Sequence, residues 1–91
     1  MFVLVAYDIK ADRRRNRIAR TMEDYGSRVQ YSVFECNLNG KLLERMKNKL
    51  VSIIDDECDK VRIYKLCNGC VKSVQIFGHG KVTEDEDVYI V

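Results

Sequence analysis

Asp8 is the residue whose position most invites chemistry. It sits near the end of the apolar run Phe2-Val3-Leu4-Val5-Ala6-Tyr7-Asp8-Ile9, and a carboxylate there is costly to bury unless it binds a cation, pairs or caps. Two readings follow, a metal ligand or a residue that ends the strand and stabilises the turn after it, and spacing alone leaves both open. A single carboxylate holds Mg²⁺ poorly, because that ion keeps octahedral oxygen coordination and takes one or two carboxylates with waters and phosphate. A second Asp8 from a two-fold partner would supply the missing ligand, so a divalent-metal site and a homodimer are expected together.

Five arginines crowd positions 13 to 20, opposed there by Asp12 and by Glu23 and Asp24 near the far end. Arg13, Arg17 and Arg20 fall on one face of a helix, opposite Ile18, Met22 and Tyr25. Guanidinium groups bind phosphate bidentately where lysine cannot. The stripe is therefore read as a phosphate-contacting, nucleic-acid-binding surface in preference to a plain solvated face, with Arg28 across Gly26 adding to it. The formal charge of +2 is uninformative; its distribution is what matters, since Glu84 to Asp87 are acidic and precede the apolar Val88-Tyr89-Ile90-Val91.

Cys67-x-x-Cys70 has the spacing of half a zinc site, with His79, Cys58 or Cys36 to complete it. A second ligand pair at short spacing is missing, so buried cysteines flanking an Asn68-Gly69 turn are the simpler expectation. His79, between Gly78 and Gly80, reads as a loop residue. No Gly-rich phosphate loop, Ser-His-Asp order or His-Glu-x-x-His helix is present, which removes support for nucleotide hydrolysis and nucleophilic catalysis.

These residues need elements to position them. Phe2 to Ile9 is expected to be a central strand buried on both faces. A helix from about Arg13 to Tyr25 follows, with Asp12 as its cap and Gly26 ending it through a positive φ. Arg28 to Cys36 alternates with period two and extends to Leu38, giving one long strand or two short ones around a bulge. Leu42, Leu43, Met46, Leu50, Ile53 and Ile54 mark a second helix. Val61 to Leu66 and Val74 to Phe77 are expected strands joined by a tight Asn-Gly turn, and Asp87 to Val91 a last one. Residues 1–91 then form a single two-layer α+β domain with both helices on one face of the sheet. The leftover C-terminal strand is expected to pair with a sheet edge as a dimer or partner clasp.

No stretch approaches the roughly 20 apolar residues that a membrane helix needs, and Met1 leads directly into the first strand without a basic leader. The expectation is a cytoplasmic chain with no membrane partner and reduced thiols.

With Val5-Ala6-Tyr7-Asp8-Ile9 closing the first strand, an Arg-rich helix ending in Tyr25-Gly26, and then Arg28-Val29-Gln30-Tyr31-Ser32-Val33-Phe34-Glu35, the chain resembles the smaller of the two universal CRISPR adaptation proteins, a family described as CRISPR-associated endoribonuclease. The likeness continues through Val61-Arg62-Ile63-Tyr64. It implies a ferredoxin-like fold with two strands between the helices, and a homodimer holding Mg²⁺ between two copies of Asp8. It also implies metal-dependent endonuclease activity on single-stranded RNA or double-stranded DNA. A further implied role is that of central dimer in the spacer-integration complex, bridging copies of the integrase subunit along protospacer DNA. By position, Asp8 matches the metal ligand and Tyr7 its neighbour, while Arg15, Arg17, Arg28 and Phe34 match positions tied to activity or to the dimer cleft; Ser32 lies in the same motif. The competing expectation is a non-catalytic DNA-binding scaffold. An RNA-recognition module would need exposed aromatics in a Lys/Arg-Gly-Phe strand motif, and a metal-trafficking domain would carry Cys-x-x-Cys after the first strand; neither pattern is present.

Overall fold

A computed structural model describes residues 1–78. The chain runs β1 (Phe2–Asp8), α1 (Asp12–Glu23), β2 (Gly26–Gln30), β3 (Val33–Asn37), α2 (Gly40–Ile53), β4 (Lys60–Leu66) and a short α3 (Asn68–Lys72). The four strands form one sheet in the order β2-β3-β1-β4, every neighbouring pair antiparallel. This β-α-β-β-α-β order is the ferredoxin-like arrangement.

β1 lies between β3 and β4, as its apolar run requires. Successive side chains alternate between faces, and Val3, Val5 and Tyr7 are buried beneath the helices. They join Ile18 and Met22 of α1, Leu43, Met46 and Leu50 of α2, and Phe34 of β3 in one core cluster. Fully burying an aliphatic or aromatic side chain of this size contributes about 1.5–3 kcal/mol, so the helices are fixed mainly by these residues. The other face of β1 differs from expectation: Leu4 and Ala6 are half-buried and Asp8 is exposed, because both helices pack on one side.

The run expected as one long or broken strand is a hairpin. β2 and β3 pair through a register shift between Arg28 and Gln30, and Tyr31-Ser32 forms the turn, whose Ser32 carbonyl accepts the Tyr7 backbone N–H at 3.1 Å. Gly26 is needed for a reason other than positive φ, since Gly78 alone among described residues has one. A Cβ at Gly26 would stand 2.2 Å from the Glu35 carbonyl oxygen and 2.6 Å from Cys36 Sγ, so only glycine lets β2 start this close to β3.

Helix ends also depart from expectation. Ala11 occupies the cap of α1 without a side-chain hydrogen bond and Asp12 is the first helical residue. α2 is capped by Asn39, whose Oδ1 accepts from Leu42 N–H at 2.8 Å. Asn68-Gly69 makes no hairpin turn: Cys67 caps α3, Cys67 and Cys70 are both exposed, and Val74 to Phe77 form no strand. A period-two run needs a sheet neighbour to become a strand, and β4 has one only in β1 among the described residues. His79, the acidic run from Glu84 and the C-terminal strand lie outside the described residues. No helix among those described is long and apolar enough to cross a membrane.

Candidate functional site

The sheet face opposite α1 and α2 is set by register. Leu4 lies opposite Glu35 and Tyr64, Ala6 opposite Val33 and Arg62, and Asp8 opposite Lys60. Asp8 ends this row with its side chain 66% exposed, and Lys10 Nζ donates to its two oxygens at 3.3 and 3.5 Å. Exposed pairs of this kind bind weakly, so the carboxylate remains open to a competing cation. Among the described residues no three His, Cys, Asp or Glu side chains gather into a metal-holding group. The hard carboxylate oxygens of Asp8 suit Mg²⁺, an ion that a second carboxylate would hold more firmly.

The loop after Asp8 is braced from two sides. Asp59, buried in the turn before β4, accepts the Lys10 backbone N–H at 3.0 Å, that of Asp55 at 2.9 Å, and Arg14 Nε at 2.7 Å. The Arg14 hydrogen bond, helped by these backbone donors, holds the Asp59 carboxyl well below the usual carboxylate range against the opposing effect of burial. From the other side, Arg15 Nη1 donates to the Ile9 carbonyl at 3.0 Å and Nη2 pairs with Asp12. The segment carrying Lys10, and with it the exit of the chain from Asp8, is thereby fixed to α1 and to the turn before β4.

These contacts divide the arginines. Arg14 and Arg15 are committed to the fold, whereas Arg13, Arg17 and Arg20 are exposed and make no hydrogen bond or ion pair among the described residues. Ile18, Ala19 and Met22 face the core from the same helix, so the three free guanidinium groups stand on the outer surface of the helical layer. Asp8 is on the opposite side of the sheet, and the two features do not converge within one chain.

The remaining expected positions form a third group. Tyr7 and Phe34 are core residues, their rings stacked with centroids 6.3 Å apart, and the Tyr7 hydroxyl donates to the Tyr31 carbonyl at 3.4 Å. The guanidinium of exposed Arg28 lies over the rings of Phe34 at 5.3 Å and Tyr31 at 5.9 Å. Tyr7 thus points away from the face that carries Asp8 and supports it only through the shared strand.

A family model for the CRISPR associated protein Cas2 matches residues 1–74. The chain belongs to the Cas2 family. It is 44% identical to the CRISPR-associated endoribonuclease Cas2 1 of Chloroflexus aurantiacus across the full length of both chains. With the CRISPR-associated endonuclease Cas2 of Halalkalibacterium halodurans it shares 37% identity, covering 99% of each. The crystal structure of Streptococcus pyogenes Cas2 at pH 6.5 superposes with a TM-score of 0.76 at 36% identity, over 86% of this chain and all of that one. The ferredoxin-like topology and the family were both legible in the Tyr-Asp-Ile and Arg-Val-Gln segments. Lys10, Lys60 and the Arg14–Asp59 pair were not. Asp59 sits in the acidic stretch Asp55-Asp56-Glu57-Cys58-Asp59, which reads as solvated, and nothing in its spacing distinguishes the one buried carboxylate.

Proposed function

We propose that the chain is a homodimeric, divalent-metal-dependent endonuclease of CRISPR adaptation, acting on single-stranded RNA or double-stranded DNA. Residues 1–91 act as one cytoplasmic domain, and two copies stack the faces of their sheets opposite α1 and α2. The observation that carries this reading is Asp8: an exposed carboxylate at the end of the central strand, on the sheet face opposite α1 and α2. Asp8 of each copy would hold Mg²⁺, whose charge would help to activate water and to offset charge on the scissile phosphodiester. The Asp59 and Arg15 braces keep the segment that carries Asp8 and Lys10 from shifting when phosphate arrives. Arg28 offers a guanidinium at the hairpin tip; Arg13, Arg17 and Arg20 neutralise backbone phosphates without reading bases. Tyr7 and Phe34 act by packing, holding β1 against the hairpin that carries Arg28. The same outer surface suits the family's second role, a dimer that bridges integrase subunits along protospacer DNA.

A non-catalytic scaffold is the second reading, favoured by Lys10, which already pairs with the Asp8 carboxylate. The test compares wild type with Asp8→Asn: cleavage of labelled RNA and duplex DNA with and without Mg²⁺, melting temperature with and without Mg²⁺ at fixed ionic strength, and sedimentation mass. The endonuclease reading expects a folded dimer in both proteins, with cleavage and most of the Mg²⁺-induced stabilisation lost in the variant. Equal cleavage and equal Mg²⁺ shifts would overturn it, and intact duplex binding without cleavage in wild type would leave the scaffold.

A further inference from the structure

We propose that Cys67 and Cys70 form a redox-active dithiol that reacts with low-molecular-weight disulfides and closes into an intrachain disulfide. The two sulfurs lie 3.2 Å apart on exposed residues, where β4 passes into α3. A disulfide needs about 2.0 Å between its sulfurs, so closure asks for a small side-chain adjustment in a segment that carries no core residue. Cys67 Sγ also accepts the backbone N–H of Cys70 at 3.3 Å, which holds the first thiol beside the second.

A metal fits this pair less well. Two thiolates on one tetrahedral zinc stand roughly 3.8 Å apart, given Zn–S bonds of about 2.3 Å, and two further ligands are required. Among the described residues no third His, Cys, Asp or Glu joins the pair. Thiol–disulfide exchange needs only the two sulfurs that are present.

The four thiols are unequal, and geometry explains the order. Cys36 is buried, which pushes its thiol up to about 11. Cys58 has its Sγ 3.4 Å from Arg14 Nη2 and 3.6 Å from Asp59 Oδ1; desolvation and the carboxylates of Asp55 and Asp59 outweigh the guanidinium and raise it. Cys67 moves down, because the backbone N–H of Cys70 and then its thiol stabilise a thiolate there, while Cys70 moves up through its hydrogen bond to Cys67. The thiolate is the nucleophile, so Cys67 attacks and Cys70 resolves.

The Cys67 thiolate attacks one sulfur of a disulfide RSSR, the RS–SR bond breaks, and one RS⁻ leaves from a mixed disulfide. Cys70 then loses its proton and attacks Cys67 Sγ, the mixed disulfide breaks, and the second RS⁻ leaves. Two protein thiols are oxidised, RSSR is reduced to two RSH, and the two protons given up by the cysteines end on the two RSH. The closed ring joins the end of β4 to the first turn of α3 and fixes the direction in which the chain leaves the sheet.

The experiment treats the full chain with oxidised glutathione, blocks free thiols with an alkylating agent, and digests with trypsin. Cleavage after Lys65 and Lys72 puts both cysteines in one peptide, Leu66 to Lys72. In wild type this peptide is expected unalkylated and two hydrogens lighter than its reduced form, with Cys36 and Cys58 still alkylated. Cys70→Ser should accumulate glutathione on Cys67 several-fold faster than Cys67→Ser accumulates it on Cys70; both positions are exposed, and circular dichroism checks that both variants fold. An alkylated wild-type peptide, linkage of either residue to Cys58, or equal adduct rates in the two variants would overturn the proposal. So would protection of both thiols by zinc in metal-loaded protein that resists glutathione.

Discussion

Replacing Arg13, Arg17 and Arg20 together by Gln tests whether the outer helical surface meets phosphate. Five arginines in this segment would each contribute if all were free, and since each neutralised phosphate on duplex DNA adds about 0.9 to the log–log salt slope, they would account for ~4.5. The tertiary structure lowers that figure, because Arg14 is held by Asp59 and Arg15 by Ile9 and Asp12. Three free guanidinium groups set the expected loss at ~2.7 for each copy of the chain that meets the duplex. Fluorescence anisotropy of a labelled duplex, titrated at salt concentrations from about 50 to 200 mM, measures the slope in wild type and variant. The three positions are exposed and make no contact that the fold uses, so the variant should melt like wild type. Because such contacts are indifferent to base sequence, the loss should be the same on unrelated duplexes. A slope unchanged by the triple substitution would refute the reasoning and leave the stripe as a solvated face.

Phe34→Ala should destabilise the chain by about 3–5 kcal/mol, the usual cost of emptying a fully buried aromatic site, since Phe34 is completely buried and stacks on Tyr7; a urea midpoint close to wild type at equal protein concentration would contradict its placement in the core. Asp59→Asn should lower stability at neutral pH and flatten the acid limb. A carboxyl whose folded pKa is depressed contributes fully above its unfolded value near 3.9 and loses that contribution as pH falls towards the folded one. The gap between wild type and variant should therefore be constant at neutral pH and narrow below about pH 4; a gap independent of pH would show that the pair with Arg14 is not the source of the stability.

Much of the fold could be read from pattern because its elements obey local rules. The apolar run of β1 and the three- and four-residue spacing of Ile18 and Met22, or of Leu43, Met46 and Leu50, each correspond to one face turned inward. The hairpin was only half legible: Arg28 to Cys36 alternates throughout, and the break at Tyr31-Ser32 carries no proline or glycine to announce it. Cys67 to Phe77 misled for the opposite reason, since Asn-Gly is a strong turn signal that α3 overrode.

By itself, the sequence determined the family, β1, β4 and the two main helices, and the placement of Asp8 at a strand end, because residue type and period specify these within a few neighbours along the chain. Which arginines are free, which acid is buried and which face each group occupies were decided only by the tertiary structure. Arg14 and Asp59 are 45 residues apart, and Arg14 differs from Arg13 only in which partner the packing of α1 brings within reach. Tyr7 and Asp8 are adjacent in the chain yet lie on opposite faces of the sheet, and the packing of α1 and α2 on one of them buries Tyr7 and leaves Asp8 exposed.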